Sequence, residues 1–107
     1  MKKLKILVLD CNPIIHIGLK SIFKNSMIFE VSAYQDNKDL LIETITEEKI
    51  DFIISEIYLN KTSIIDILKV LKKNKINIPV VIFTSLSNEN KSLKLLKTGA
   101  SGFLTKN

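Results

Sequence analysis

Arginine and tryptophan are absent from this 107-residue chain, and it has only one cysteine, one histidine, two prolines and three glycines. Each scarcity excludes something. A lone Cys11 cannot close an intramolecular disulfide, so the chain is not a disulfide-stapled secreted scaffold. The one histidine, His16, has no Cys/His companion and reads as a surface residue rather than a catalytic one. No apolar run approaches the roughly 20 residues needed to cross a bilayer. The opening "MKKLKILVLD" resembles a signal peptide in its lysines and apolar run. That run breaks at Asp10 after about six residues without a small-residue cleavage site, so it reads as a strand, and the cytoplasm is the expected location. All 16 basic residues are lysines, and the net charge is +5. They are spread along the sequence, whereas nucleic-acid binding usually clusters Arg/Lys with aromatic or base-reading residues. Direct nucleic-acid binding by this segment is therefore not expected.

What is present is an alternation. A hydrophobic fraction of 46% and a charged fraction of 25% fit one globular domain with one core. "LKILVLD" (Leu4–Asp10) is a buried strand. Asn12 as N-cap and Pro13 at the first helical position open a helix over Asn12–Asn25, with an apolar stripe of Ile15, Leu19, Ile22 and Phe23. Met27–Tyr34 is a second strand, Asn37–Lys49 a helix and Asp51–Ser55 a third strand. Ser63–Asn74 is a helix with Ser63 and Asp66 at capping-box-like spacing. Ile78–Thr84 is a fourth strand. Asn88–Gly99 is a helix closed by a glycine C-cap, and Ser101–Lys106 is a fifth strand. The pattern βαβαβαβαβ predicts a parallel sheet covered on both faces. In such sheets functional groups collect at the carboxyl ends of the strands. Here those ends bring Asp10 and Cys11, Glu56, Thr84 and Lys106 to one rim.

"VLDCNPIIHIGLKSIF", "DFIISEIYLN", "IPVVIFTS" and "KTGASGFLTKN" occur in order and at suitable spacing. By them the whole chain resembles a response-regulator receiver domain, of the class that carries a LuxR-type DNA-binding output. The resemblance implies a flavodoxin-like, doubly wound five-stranded sheet of order 2-1-3-4-5. In that family an aspartate ending the third strand accepts a phosphoryl group from a histidine kinase. Two acids after the first strand help bind Mg²⁺, and a Thr/Ser and a Lys contact the phosphoryl oxygens. By position, Glu56 stands at the phosphoacceptor and Asp10 with Cys11 at the acid pair. Thr84 is the switch hydroxyl, Phe103 the switch aromatic and Lys106 the lysine. The backbone carbonyl of Tyr58 stands where the family offers one to the metal.

Two positions depart from the pattern. Glu56 places its carboxylate one methylene further out than an aspartate, and Cys11 offers a thiol where a hard cation wants oxygen. The expectation is an atypical receiver, not an enzyme, with no catalytic residue and phosphorylation reduced or absent. Metal binding through Asp10, Glu56 and Tyr58 is weak if any. Glu56 is expected to pair with Lys106, either mimicking the active state or locking the inactive one, and Cys11 to be a small pocket filler. Two alternatives stay open. One is a small phosphotransfer or phosphatase enzyme using Asp10, although "DCNP" lacks a second aspartate two residues on. The other is an ordinary receiver weakly phosphorylated on Glu56. A nucleotide or flavin binder is disfavoured, because no Gly-rich phosphate loop follows the first strand. The implied partners are a histidine kinase, a second copy of the chain, and DNA only through an output domain outside it, with no membrane. Receivers normally close with a fifth helix, and here that final helix is absent. Residues 1–107 are thus expected to be one receiver domain at the N-terminus of a longer regulator, or a chain that covers the exposed sheet face with a partner copy.

Overall fold

The computed structural model describes residues 3–33, 38–85 and 89–106. The expected element ends at Tyr34, Asn37 and Asn88 lie outside the described residues. The elements alternate as β1 (Leu4–Leu9), α1 (Pro13–Phe23), β2 (Phe29–Ala33), α2 (Lys38–Glu47), β3 (Phe52–Ser55), α3 (Ile64–Lys73), β4 (Val80–Thr84), α4 (Glu89–Thr98) and β5 (Gly102–Thr105). The strands form one parallel sheet in the order β2-β1-β3-β4-β5, the doubly wound arrangement expected. The step from β1 to β2 runs one way along the sheet, and the three later steps run the other way. Right-handed crossovers therefore put α1 on one face and α2, α3 and α4 on the other.

Side chains alternate along each strand, so the two faces differ in cover. Leu7, Leu9, Ile53, Val80 and Ile82 meet Leu41 and Ile45 of α2, Ile64, Ile67, Leu68 and Leu71 of α3, and Leu95 of α4 in one core cluster. On the α1 face Ile6 and Val8 are buried. Val81 and Phe83 there are only half-buried, and Leu104 is 59% exposed.

Local chemistry sets the element ends. The Asn12 side chain accepts from the Ile14 N–H at 3.0 Å, and Pro13 follows it, as the sequence predicts. Gly99 ends α4 at φ 129°, a conformation that side chains avoid. Three expectations need correction. Ser63 is the N-cap of α3 but makes no side-chain capping bond; its hydroxyl meets Asp66 at 3.4 Å instead. β2 starts at Phe29, because Ser26 Oγ accepts from the Ile28 and Phe29 N–H groups and holds a turn there. Ile22 is 72% exposed, not part of a buried stripe. Ile14, Gly18 and Ile22 follow one another at i, i+4 and i+8 along a flank of α1, and a flank needs a neighbouring helix to cover it.

Candidate functional site at the carboxyl edge of the sheet

Strand register brings the rim together. Leu9 pairs with Ser55, so Asp10 and Glu56 leave the sheet side by side at the β1–β3 junction. The Glu56 N–H donates to the Leu9 carbonyl at 2.8 Å. Thr84 pairs with Thr105, and the next residue, Lys106, donates its N–H to the Thr84 carbonyl at 2.8 Å. β5 lies two strands from β3, so the long Lys106 side chain spans the end of β4 to reach the acids. Its Nζ lies 5.6 Å from the centre of the Phe83 ring, within cation–π range.

The ammonium of Lys106 bridges both carboxylates. Nζ donates to Asp10 Oδ2 at 2.9 Å and to Glu56 Oε2 at 2.8 Å. Each remaining carboxylate oxygen is held by a local backbone amide. Asp10 Oδ1 accepts from the Asn12 N–H at 2.8 Å, and Glu56 Oε1 accepts from the Ile57 N–H at 2.7 Å. Side-chain exposure is 5% for Asp10, 15% for Glu56 and 18% for Lys106. Burial pulls the lysine pKa down, but hydrogen bonds to Glu56 and Asp10, with their charges, outweigh it and hold the pKa above the usual lysine value. The site is thus a charge-assisted bridge, two acids sharing one ammonium, and all four carboxylate oxygens are engaged.

The other expected residues fall into place unevenly. Thr84 is fully buried at the end of β4. Phe103 is half-buried and packs against the core cluster, in register with Ile82. Tyr58 is 53% exposed in the loop after β3, bridged to Ser63. Cys11 is exposed and fills no pocket. The bond from the Asn12 N–H to Asp10 closes a tight Asx-type turn, and Cys11 sits at its tip. His16 is half-buried rather than a plain surface residue: Nε2 lies 2.5 Å from the Asp10 carbonyl oxygen. Facing an acceptor, Nε2 must donate, and Nδ1 is buried without a partner among the described residues. The direct Asp10–Lys106 contact and the amide anchors were not foreseen. An acid followed two residues later by a helix N-cap is the one local signal that points to such an anchor. Among the described residues no group of three or more His, Cys, Asp and Glu is arranged to hold a metal ion.

A parallel sheet of this order, with its polar chemistry at the β1–β3 switch point, is a flavodoxin-like α/β domain. Residues 6–107 match the family model described as response regulator receiver domain, and the chain belongs to that family. Among curated proteins it is similar to the nitrate/nitrite response regulator protein homolog of Haemophilus influenzae, at 29% identity over 97% of this chain and 50% of that protein. It is also similar to the transcriptional regulatory protein YdfI of Bacillus subtilis, at 22% identity over 95% of this chain and 47% of that protein. The chain spans about half the length of these relatives. Among solved structures, the Francisella response regulator 1452 receiver domain matches with a TM-score of 0.83 and 26% identity, over 97% of this chain and 84% of that one. The chemotaxis response regulator CheY4 of Vibrio cholerae matches in fold with a TM-score of 0.84 at 19% identity, over 98% of this chain and 88% of that one. No helix among the described residues is long and apolar enough to cross a membrane.

Proposed function

We propose that this chain is an atypical receiver whose state is set by the Asp10–Lys106–Glu56 bridge rather than by phosphoryl transfer to a metal-bound aspartate. The observation that carries the reading is the Lys106 ammonium, within 2.9 Å of both carboxylates. It supplies the positive charge that a divalent cation would otherwise bring between them. The donors present suit Mg²⁺ poorly. Each carboxylate oxygen of Asp10 and Glu56 already accepts one hydrogen bond, and the Lys106 ammonium lies between them. Cys11, at the second acid position, is a soft ligand exposed to solvent. A metal bound through Asp10, Glu56 and the Tyr58 carbonyl would sit beside the Lys106 ammonium, whose charge opposes it.

In-line phosphoryl transfer depends on a placed nucleophile and on charge neutralisation. Glu56 presents its carboxylate pinned at both oxygens, one methylene beyond the aspartate position. Phosphorylation at Glu56 is accordingly reduced or absent. The enzyme alternative weakens for a similar reason, since the Asp10 side chain is 5% exposed and doubly bonded, poorly placed for attack. The module works by contact, in the cytoplasm. Its partners are a histidine kinase or a second copy of the chain, with a transcriptional output made by a DNA-binding part outside these residues. Thr84 and Phe103 then couple the bridge to the α4–β5 surface.

Titration with Mg²⁺, followed by amide NMR, tests the reading. Little response is expected at Asp10, Asn12, Glu56 and Ile57. Saturation at low-millimolar Mg²⁺ centred on those residues overturns it.

A further inference from the structure

At the opposite edge of the sheet, away from the Asp10–Lys106–Glu56 bridge, Lys3 meets Lys20 and Lys24 of the α1 C-terminus. A cavity of about 250 Å³ is lined by Lys3 before β1, by Lys20, Phe23 and Lys24 at the end of α1, and by Phe29 and Glu30 at the start of β2. The lysines are exposed, and none makes an ion pair among the described residues. Three ammoniums and one carboxylate leave the lining with two positive charges in excess. The floor is aromatic. Phe23 and Phe29 meet edge to face at 5.4 Å, and Phe29 is itself held by Phe52 at 6.0 Å. Both Phe23 and Phe29 are half-buried, so part of each ring faces the cavity.

We infer that this cavity binds a small phosphomonoester carrying an aromatic ring. Lysine ammoniums act as point charges with freely turning donors, which suits a phosphate head rather than a planar, forked acceptor. A dianionic head matches the local excess charge. The rigid Phe23–Phe29 pair offers edge and face contacts to a ring. The volume falls just below the range of drug-sized pockets, which suits one ring and one head group. Lys20 and Lys24 also complement the negative end of the α1 dipole. That role does not account for Lys3, which precedes β1. It also means that the helix end opposes an anion, so binding there depends on the lysines.

The test is an amide NMR titration of the full chain with phenyl phosphate, inorganic phosphate and benzyl alcohol. Phenyl phosphate is expected to bind with a dissociation constant of about 1 mM, the scale reached by a ligand of this size. The saturable shifts should be confined to Lys3, Lys20, Phe23, Lys24, Phe29 and their neighbours. Inorganic phosphate and benzyl alcohol, each lacking half of the recognised chemistry, should bind about tenfold more weakly or not at all. The triple change Lys3→Ala, Lys20→Ala and Lys24→Ala should weaken phenyl phosphate about tenfold while the spectrum stays folded. Lys69→Ala, Lys94→Ala and Lys97→Ala together should leave binding unchanged. Adenosine monophosphate shifting the same residues assigns a nucleotide source, and its failure beside phenyl phosphate assigns a simpler aryl phosphate. Shifts that never saturate, that follow lysines everywhere, or that inorganic phosphate produces equally well overturn the inference.

Discussion

Along β4 the side chains alternate between two environments. Val80, Ile82 and Thr84 on the α2–α4 face are at most 1% exposed, whereas Val81 and Phe83 on the α1 face are half-buried. Leu104, in register with Phe83, is 59% exposed. Both faces are apolar in sequence, so side-chain chemistry does not make the difference. Cover does: among the described residues three helices close one face and one helix lies on the other. The core cluster and its packing free energy belong to the first face. The second holds apolar surface of the kind that marks interaction sites.

The largest expected effect breaks this contrast at its strong end. Ile82→Ala opens a cavity among core residues and should cost about 2–5 kcal/mol in a denaturant melt. Leu104→Ala, on the open face, should stay within about 0.5 kcal/mol. Equal losses at the two positions would mean that both faces are packed alike.

The rim sharpens the contrast with a third environment that is polar, anchored and largely shielded from solvent. Glu56→Gln keeps the side chain's shape and leaves Lys106 paired to Asp10, but it weakens a charge-assisted bond among side chains at most 18% exposed, so the melt should fall by about 1.5–3 kcal/mol. Self-association, followed by sedimentation, should change with it. A large stability loss with unchanged association would make Glu56 a purely structural acid.

The smallest effect concerns pH. The Lys106 pKa is raised above its ordinary value of 10.5 in the folded chain, with burial opposed and outweighed by bonds to Glu56 and Asp10. Its stabilisation is therefore complete below that ordinary value and fades only as pH climbs through the higher folded value. Melts between pH 7 and pH 9 should show no pH dependence from this group, whose contribution there is full and constant. Lys106→Met should remove the pH dependence seen at strongly alkaline pH.

Much of the fold was legible because its signals are local. Asn12–Pro13 opening α1, Gly99 closing α4 and short apolar runs between amphipathic segments fix the βα alternation; the strand order came from the family resemblance, and with it the crossover rule fixes the faces. Glu56 and Lys106 could be paired from their places at strand ends. The second half of the bridge, Lys106 to Asp10, joins residues 96 apart and depends on how far a lysine reaches past β4, which no spacing encodes. Cys11 and His16 were misjudged because their placement follows from the Asp10 turn, a conformation rather than a composition. Ile22 sits one heptad from Ile15, so periodicity alone favoured its burial; the absence of a helix beside that flank decided otherwise among the described residues.

The central claim is that an ammonium bridge replaces phosphoryl transfer at this rim. Intact-mass measurement after incubation with Mg²⁺ and phosphoramidate tests it most directly, with the wild-type chain run beside the double variant Cys11→Asp, Glu56→Asp. The expected result is an unchanged mass for the wild type and one added phosphoryl group on the variant. A phosphoryl group mapped to Glu56 of the wild-type chain would contradict it.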